Sequence, residues 1–406
     1  MINVAILGLG TVGGGTADLI SSHKDTIAAR VGDFINIKYI LDIRDLSDSP
    51  YAPLIVRDFN VILEDAEVAL VAETIGGLHP AYEFTKKALE AGKHVVTSNK
   101  ELVATYGDEL LAIAKEKGVS YLFEASVGGG IPVIRPLTVD LADNRIEAIS
   151  GIMNGTTNYI LTRMLEDGAT FDAALAEAQK LGYAEADPTA DIEGKDACRK
   201  ICILAAVAHG VLAATDKVHT EGITAIRAED VRAARAYGAR IKLLGRALRQ
   251  ENGDFFMMVA PFFVPVANPL AHVDGVFNAI TVKGSAVGDV MFYGPGAGAL
   301  PTASAVVADI LNALTGEAAL ASARGFTRAE DFPSEFGFFS CRHFLALQGN
   351  DINAIKVILG NPGVLPGSGN DETWVVTDTT TENALQKDIE RLAAVGIKTL
   401  SHIRIF

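Results

Sequence analysis

The segment VAILGLGTVGGG sets Gly8, Gly10 and Gly13 in a G-x-G-x-x-G pattern directly behind a short apolar run. This pattern has a function only where a strand ends in a tight turn and a helix begins. Gly8 permits the turn, Gly10 lets backbone approach a pyrophosphate, and Gly13 lets the helix pack closely on a sheet. The helix N-terminus, with Thr11 and Val12 in its first turn, then stabilises the phosphates. The chain continues in keeping. Apolar runs at 4–7, 35–41, 69–72, 94–97 and 120–123 alternate with helical patterns such as 81–91 and 106–117. Alternation of this kind predicts an α/β fold, a doubly wound (Rossmann) parallel sheet over residues 1–130.

Asp42 closes the second run, where a carboxylate accepts hydrogen bonds from an adenosine ribose and favours NAD. Arg44, two residues on, is placed to pair with a 2′-phosphate, which favours NADP. The two signals conflict, so a nicotinamide cofactor is expected, either NAD or NADP. Thr74 follows the third run and is expected near the nicotinamide.

Residues 131–330 change character. A strand at 145–153 precedes helices at 158–166, 171–181, 197–211 and 228–244, then strands at 255–265 and 276–283. This predicts an α+β substrate-binding and dimerisation domain, with a helix near 301–314 returning to the first domain. The tail, 337–406, reads as a separate small α+β unit, with strands at 338–347, 373–378 and 399–405 and helices at 354–359 and 381–395.

With 406 residues and 49% hydrophobic content the chain can bury two or three cores. Its net charge of −15 argues against nucleic acid and anionic membrane as partners and still allows a local basic pocket for a phosphate-bearing ligand. Cys198, Cys202 and Cys341 form no disulfide framework, which points to a reducing compartment, the cytoplasm. Cys198 and Cys202 lie four residues apart on an apolar helix and read as core. The N-terminus lacks a basic region and is no signal peptide. The longest apolar run, 201–214, is interrupted by His209 and Gly210 and is too short to span a bilayer.

The segment 181–200, LGYAEADPTADIEGKDACRK, gathers Glu185, Asp187, Asp191, Glu193 and Asp196 beside Lys195 and Lys200. Helical spacing puts Asp196, Lys200, Ile203 and Val207 on one stripe. A charged pair heading an apolar stripe should be partly buried, which is costly unless it is paired or functional. The competing reading is a surface i,i+4 pair on a core helix. Lys195 points off the stripe and reads as solvated.

GLGTVGGG (8–15), TSNKELVA (97–104), EASVGGGIP (124–132), GIMNGTTNYIL (151–161), GYAEADPTADIEGKDACRK (182–200) and FYGPGAGALPTASAV (292–306) together resemble the homoserine dehydrogenases across nearly the whole chain. The resemblance implies reversible, NAD(P)-dependent interconversion of L-homoserine and L-aspartate 4-semialdehyde in threonine and methionine biosynthesis, by a homodimer or larger homo-oligomer. It implies proton transfer by Lys200 with Asp196 as its carboxylate partner. Lys100 matches a second active-site lysine, near cofactor and substrate. Glu185 matches the group that takes the substrate ammonium, and Gly155, Thr156 and Tyr183 fall where the family lines the substrate pocket. Gly182 and the GPGAG turn, with Gly296 and Gly298, match segments near the cofactor. Glu124, Val127, Gly129 and Ile131 match a monovalent cation site (sodium or potassium) built largely from backbone carbonyls. The tail resembles a shortened ACT-type regulatory module. Its NPGVL segment (361–365) is displaced relative to the family, so feedback by threonine and a purely structural role both stay open.

The chemistry agrees with the residues. Oxidising a primary alcohol needs a proton acceptor at the hydroxyl as hydride leaves. A zinc constellation that could replace that acceptor is not legible in the sequence. An aspartate-semialdehyde dehydrogenase would need a nucleophilic cysteine in an exposed loop, which none of the three provides. A dinucleotide-sensing regulator would keep the glycines but would have no need of Lys100, Glu185, Asp196 and Lys200 together.

Overall fold

The computed structural model describes residues 1–250, 255–316, 325–329, 335–369 and 371–406. Two units emerge: Met1–Ile146 with Cys202–Thr215 and Lys283–Glu330, and Glu147–Ile201 with Asp216–Val282 and Asp331–Phe406.

In the first unit the strands are β1 (Ile2–Leu7), β2 (Ile35–Leu41), β3 (Ile55–Val56), β4 (Val68–Glu73), β5 (His94–Thr97) and β6 (Tyr121–Leu122). Among the described residues they form one sheet in the order β3-β2-β1-β4-β5-β6, with every pair parallel. Val4 to Leu7 are wholly buried, as expected of a central strand covered on both faces. The chain leaves β1 first to one side and then to the other, so the order reverses beside its carboxyl end. Such a switch point opens a crevice for a ligand.

The helix Thr11–Ser22 packs against the helix Ala299–Thr315. A Cβ added at Gly15 would lie 3.0 Å from the Ala299 carbonyl oxygen and 3.1 Å from Ala303 Cβ, so this crossing needs glycine. Val306 and Ile310 of the later helix share a core with Ile6 and Leu70. The helix expected at 106–117 begins six residues earlier, as Lys100–Lys117. The Asn99 side chain accepts the Leu102 N–H at 3.1 Å and caps it there. The strand Gly288–Pro295 alternates in exposure and leaves Met291 and Tyr293 exposed.

The second unit is built on β7 (Ile146–Ile152), β8 (Ala239–Arg249), β9 (Phe255–Pro265), β10 (Phe277–Gly284), β11 (Ser340–Gln348), β12 (Gly363–Val364), β13 (Glu372–Val376) and β14 (Thr399–Ile405), in the order β10-β7-β8-β9-β14-β11-β13-β12. The helix expected over 228–244 is a correction. It stops at Tyr237, because Gly238 turns left-handed at φ 79° and bonds back to Ala234 and Arg235. Ala239–Arg249 then pairs antiparallel with β9 along its whole length. Ile241, Leu243 and Leu244 fit a helical period as well as a strand, and the long partner decides.

The tail, expected as a separate unit, has its own apolar layer of Leu345, Val375, Leu385 and Leu392. Its strands nonetheless extend the same sheet, with Phe262 of β9 pairing with Arg404 of β14. With the helices Ile352–Leu359 and Glu382–Ala394, the tail runs βαββαβ in chain order. Among the described residues no helix is long and apolar enough to cross a membrane.

Candidate active site

At the switch point the three glycines are dictated by three different constraints. Gly8 sits at φ 91°, a conformation that disfavours a side chain. A Cβ on Gly13 would fall 1.8 Å from the Gly8 carbonyl oxygen, so the helix approaches the turn as closely as backbone allows. Gly10 has ordinary dihedrals, and a Cβ there would meet nothing within 4 Å. The protein's own packing does not require glycine at that position, whereas a phosphate resting on the backbone does. Thr11 and Val12 open the helix behind it. Thr74 clamps the turn, its hydroxyl donating to the carbonyls of Leu7 at 2.9 Å and Gly8 at 2.8 Å.

Asp42 is buried, and its Oδ2 accepts the Leu9 N–H at 2.8 Å. Arg44 grips the same carboxylate through Nη2 at 2.7 Å and Nε at 3.0 Å. Those bonds hold Asp42 well below the usual carboxylate range. Asp42 and Arg44 are thus partners within one device. A cavity of about 400 Å³ lies over it, lined by Gly8, Gly10, Asp42, Arg44, Arg57 and Phe84 among others. Glycines at the turn, a helix N-terminus and two guanidinium groups fit a dinucleotide.

Lys100 opens its helix beside a second network in the same unit. Glu73, fully buried at the end of β4, accepts the Ile75 N–H at 2.7 Å and the Thr97 hydroxyl at 2.6 Å. Burial pushes its carboxyl upward, and these bonds oppose the shift. Asn99 takes its N–H to Thr97 Oγ1 and donates its amide to the Gly77 carbonyl at 2.6 Å. The 74–77 loop and the start of the Lys100 helix are thereby held together.

In the same unit, the Glu124 side chain accepts the amides of Val133, Ile134 and Arg135 at 2.6, 2.8 and 2.7 Å. Burial raises its carboxyl, against these three amides. The loop carrying Val127, Gly129 and Ile131 is buried apart from half-buried Gly130 and is fixed by Gly130 N–H to the Pro295 carbonyl. A Cβ on Gly129 would meet the Gly296 carbonyl oxygen at 2.4 Å, so this loop and the GPGAG turn are in contact. Gly298, at φ 120°, starts the helix Ala299–Thr315.

In the second unit Lys200 and Asp196 pair at 2.8 Å, with side chains 9% and 2% exposed, which removes the surface-pair reading. Lys200 Nζ also donates to the Met153 carbonyl at 2.6 Å. Met153 follows β7, and Asn154 caps the helix Gly155–Glu166 by accepting the Thr157 N–H at 2.9 Å. The Asn154 amide nitrogen donates to Asp191 at 2.7 Å and to Asp196 at 2.9 Å. Gly155 cannot carry a side chain, because a Cβ would sit 2.7 Å from the Val276 carbonyl oxygen. The Thr156 hydroxyl donates to the Tyr183 carbonyl at 2.5 Å, and the Tyr183 ring meets Tyr159 edge-on. Gly182, at φ 77°, makes the turn into that segment. Glu185 is exposed. Asp187 accepts the Thr189 N–H at 3.1 Å. Lys195 is exposed and paired with Glu193.

The structure thus brings Thr156, Tyr183, Asp196 and Lys200 around the Met153–Gly155 turn, while Gly8, Gly10, Gly13, Asp42, Arg44 and Thr74 gather at the other unit's switch point. Sequence reasoning missed Arg57, Glu73, Asn99 and Asn154. Asn99 and Asn154 carried a local signal, each an Asn at the head of a helix.

A Rossmann sheet with a complete phosphate turn, together with a buried lysine–carboxylate pair, defines a nicotinamide-dependent dehydrogenase. Residues 132–311 match the family model for homoserine dehydrogenase, and residues 8–124 match the model for the homoserine dehydrogenase NAD-binding domain. The chain belongs to the homoserine dehydrogenase family, NAD(P)-dependent oxidoreductases of amino-acid biosynthesis. It is 48% identical to homoserine dehydrogenase of Pseudomonas aeruginosa over 313 residues, 77% of this chain and 72% of that protein. The crystal structure of a homoserine dehydrogenase from Thiobacillus denitrificans matches with a TM-score of 0.93 at 39% identity, covering 100% of this chain and 98% of that one. A hyperthermophilic archaeal homoserine dehydrogenase in complex with NADPH matches with a TM-score of 0.66 at 31% identity, covering 77% and 97%.

Proposed function

We propose that the chain interconverts L-homoserine and L-aspartate 4-semialdehyde, with Lys200 as the group that moves the hydroxyl proton. The observation that carries this reading is the buried Lys200–Asp196 pair, aimed by the Met153 carbonyl. A nicotinamide cofactor held at the turn of Gly8, Gly10 and Gly13 would supply the acceptor for the hydride of the alcohol carbon. Lys200 takes the hydroxyl proton as that hydride leaves, and Asp196 stabilises the resulting ammonium. Lys100 is assigned the polarisation of the forming carbonyl. Glu185 is assigned the substrate ammonium, with Gly155, Thr156 and Tyr183 lining the pocket. Gly182, Gly296 and Gly298 are assigned to the cofactor side. A monovalent cation is assigned to the carbonyls of Glu124, Val127, Gly129 and Ile131. The buried, doubly anchored loop supports that assignment, and no chemical step passes through the ion.

Arg44 and Arg57 over the ribose end of the cavity support NADP use, and the archaeal relative was solved with NADPH. A homodimer is supported by the exposed Met291 and Tyr293 on an alternating strand, a face suited to pairing with another copy. A cytoplasmic setting is supported by three free cysteines. The tail is read as ACT-like on its βαββαβ order, and turnover with and without L-threonine separates feedback from a structural role. The central test is nicotinamide absorbance with L-homoserine as sole substrate and either cofactor. Reduction is expected, and its absence under both cofactors would reject the reading.

A further inference from the structure

We propose that Cys341, His343 and Glu382 form a zinc site in the tail of the second unit. None of the three belongs to the groups assigned to dinucleotide or substrate. Cys341 and His343 are two apart on β11, so strand alternation sends both side chains to one face. Glu382 is the first residue of the helix Glu382–Ala394, whose start is fixed by the Thr381 cap and by Glu382 N–H to the Phe339 carbonyl. One ligand atom from each residue lies within 4.8 Å of the others. Cys341 Sγ is 3.7 Å from His343 Nε2 and 3.9 Å from His343 Nδ1. With Zn–S near 2.3 Å and Zn–N near 2.0 Å, a tetrahedron has an S···N edge of roughly 3.5 Å, so the Sγ–Nε2 distance suits an ion on Nε2 once the sulfur swings away from Nδ1. The Thr380 carbonyl oxygen, 3.3 Å from His343 Nε2, is a fourth donor within reach.

The surroundings meet the further demands of a metal site. His343 and Glu382 are buried, while Cys341 is partly exposed and gives the ion a way in. A metal-bound imidazole usually donates its other N–H to an acceptor that fixes its orientation. His343 Nδ1 has such a partner in His402 Nε2, at 2.9 Å. Glu382 is oriented by Arg404 through bonds of 2.6 and 3.2 Å. Arg404 also binds Glu221, so its charge is met by two carboxylates before any ion arrives. Arg246, the other cation acting on Cys341, is stacked among Phe262, Phe339 and Phe406. A sulfur, nitrogen and oxygen donor set selects zinc over magnesium or calcium. Binding replaces the thiol proton of Cys341 with a sulfur–zinc bond and releases that proton to solvent. The ion would tie the first turn of the tail helix to the strand beneath it.

The test uses the full-length chain stripped of metal by chelator and titrated with Co²⁺. A near-ultraviolet thiolate-to-cobalt band saturating at one ion per chain and displaced by Zn²⁺ is expected. It should vanish in Cys341→Ser, weaken at least tenfold in His343→Gln, and persist in Cys198→Ser. No band, or a band that survives Cys341→Ser, overturns the proposal. Should the variants fail to fold, the wild-type chain still decides. Zn²⁺ should slow alkylation of Cys341, read by peptide mass spectrometry, and an unchanged rate overturns the proposal equally.

Discussion

Asn154 stands 2.9 Å from Asp196 and donates the same amide nitrogen to Asp191 at 2.7 Å. Two carboxylates that would otherwise repel are held side by side by one neutral group, and the one that faces Lys200 is fixed in place. A hydrogen bond to a charged group contributes about 1.5–3 kcal/mol. Asn154→Ala is therefore expected to lower kcat by about one to two orders of magnitude, with a smaller change in the Michaelis constant for NADP. Steady-state kinetics on the folded variant would show it, and an unchanged kcat would remove Asn154 from a positioning role.

Lys200→Ala should lose roughly two or more orders of magnitude in turnover while folding normally. Lys195→Ala is the matched control. Lys195 is exposed and paired with Glu193, so its removal should leave turnover within about twofold. Equal losses in the two variants would contradict the assignment of the proton to Lys200.

Arg44 is half exposed at the rim of the cavity although it grips Asp42. Arg44→Ala is expected to raise the Michaelis constant for NADP by tenfold or more, and to change that for NAD much less. Titration with both cofactors settles the matter, and equal effects would take Arg44 away from the 2′-phosphate.

The Arg44 hydrogen bonds hold the folded-state pKa of Asp42 below the usual carboxylate range. The stability this gives is present above the unfolded value and is lost as pH falls through the folded one. Asp42→Asn should thus lower Tm at pH 7, and the gap to wild type should narrow as pH falls below about 4. Melting curves at pH 7 and pH 3 provide the comparison. A gap that stays constant would mean that shape, not charge, is what the site requires.

Glu185→Gln keeps the shape of the side chain and removes its charge. Loss of a charge-assisted bond to the substrate ammonium should raise the Michaelis constant for homoserine about ten- to a hundredfold, at unchanged cofactor affinity. If that constant does not move, the ammonium is held elsewhere. Asp191, held beside Asp196 by the Asn154 amide, or Asp187 in the same loop is then the alternative.

Features with local physical causes were readable from the chain. Gly8 and Gly13 announce a turn and a close helix because backbone sterics demand them within a few residues. Asp196 and Lys200 could be paired because one helical turn separates them. Glu73 with Thr97 and Asn154 with Asp196 could not, since these bonds join residues distant in sequence and no short-range pattern encodes them. Arg57 reaches the cofactor cavity from a different stretch of chain for the same reason. The boundary at Gly238 was misjudged because Ile241, Leu243 and Leu244 satisfy both periods until their partner strand is known. The tail looked detached because its apolar layer is self-contained. Its links to the rest, the pairing of β9 with β14, the Arg404–Glu221 ion pair and the packing of Phe339 with Phe256 and Phe262, all join residues distant in sequence.

β14 lies between β9 and β11, so the second unit's sheet is joined by residues made last among its strands. On the ribosome, His219–Thr220 can cover Met258 and Val259 of β9 early, but the edge at Phe262 and Phe263 must wait until Thr399–Ile405 has emerged, and non-local pairings of this kind form slowly. The aromatic, wholly apolar sequence of β9 makes that wait hazardous, because an open strand edge is a template for other chains. The yield of correctly assembled protein should therefore depend on how quickly the last strand is delivered.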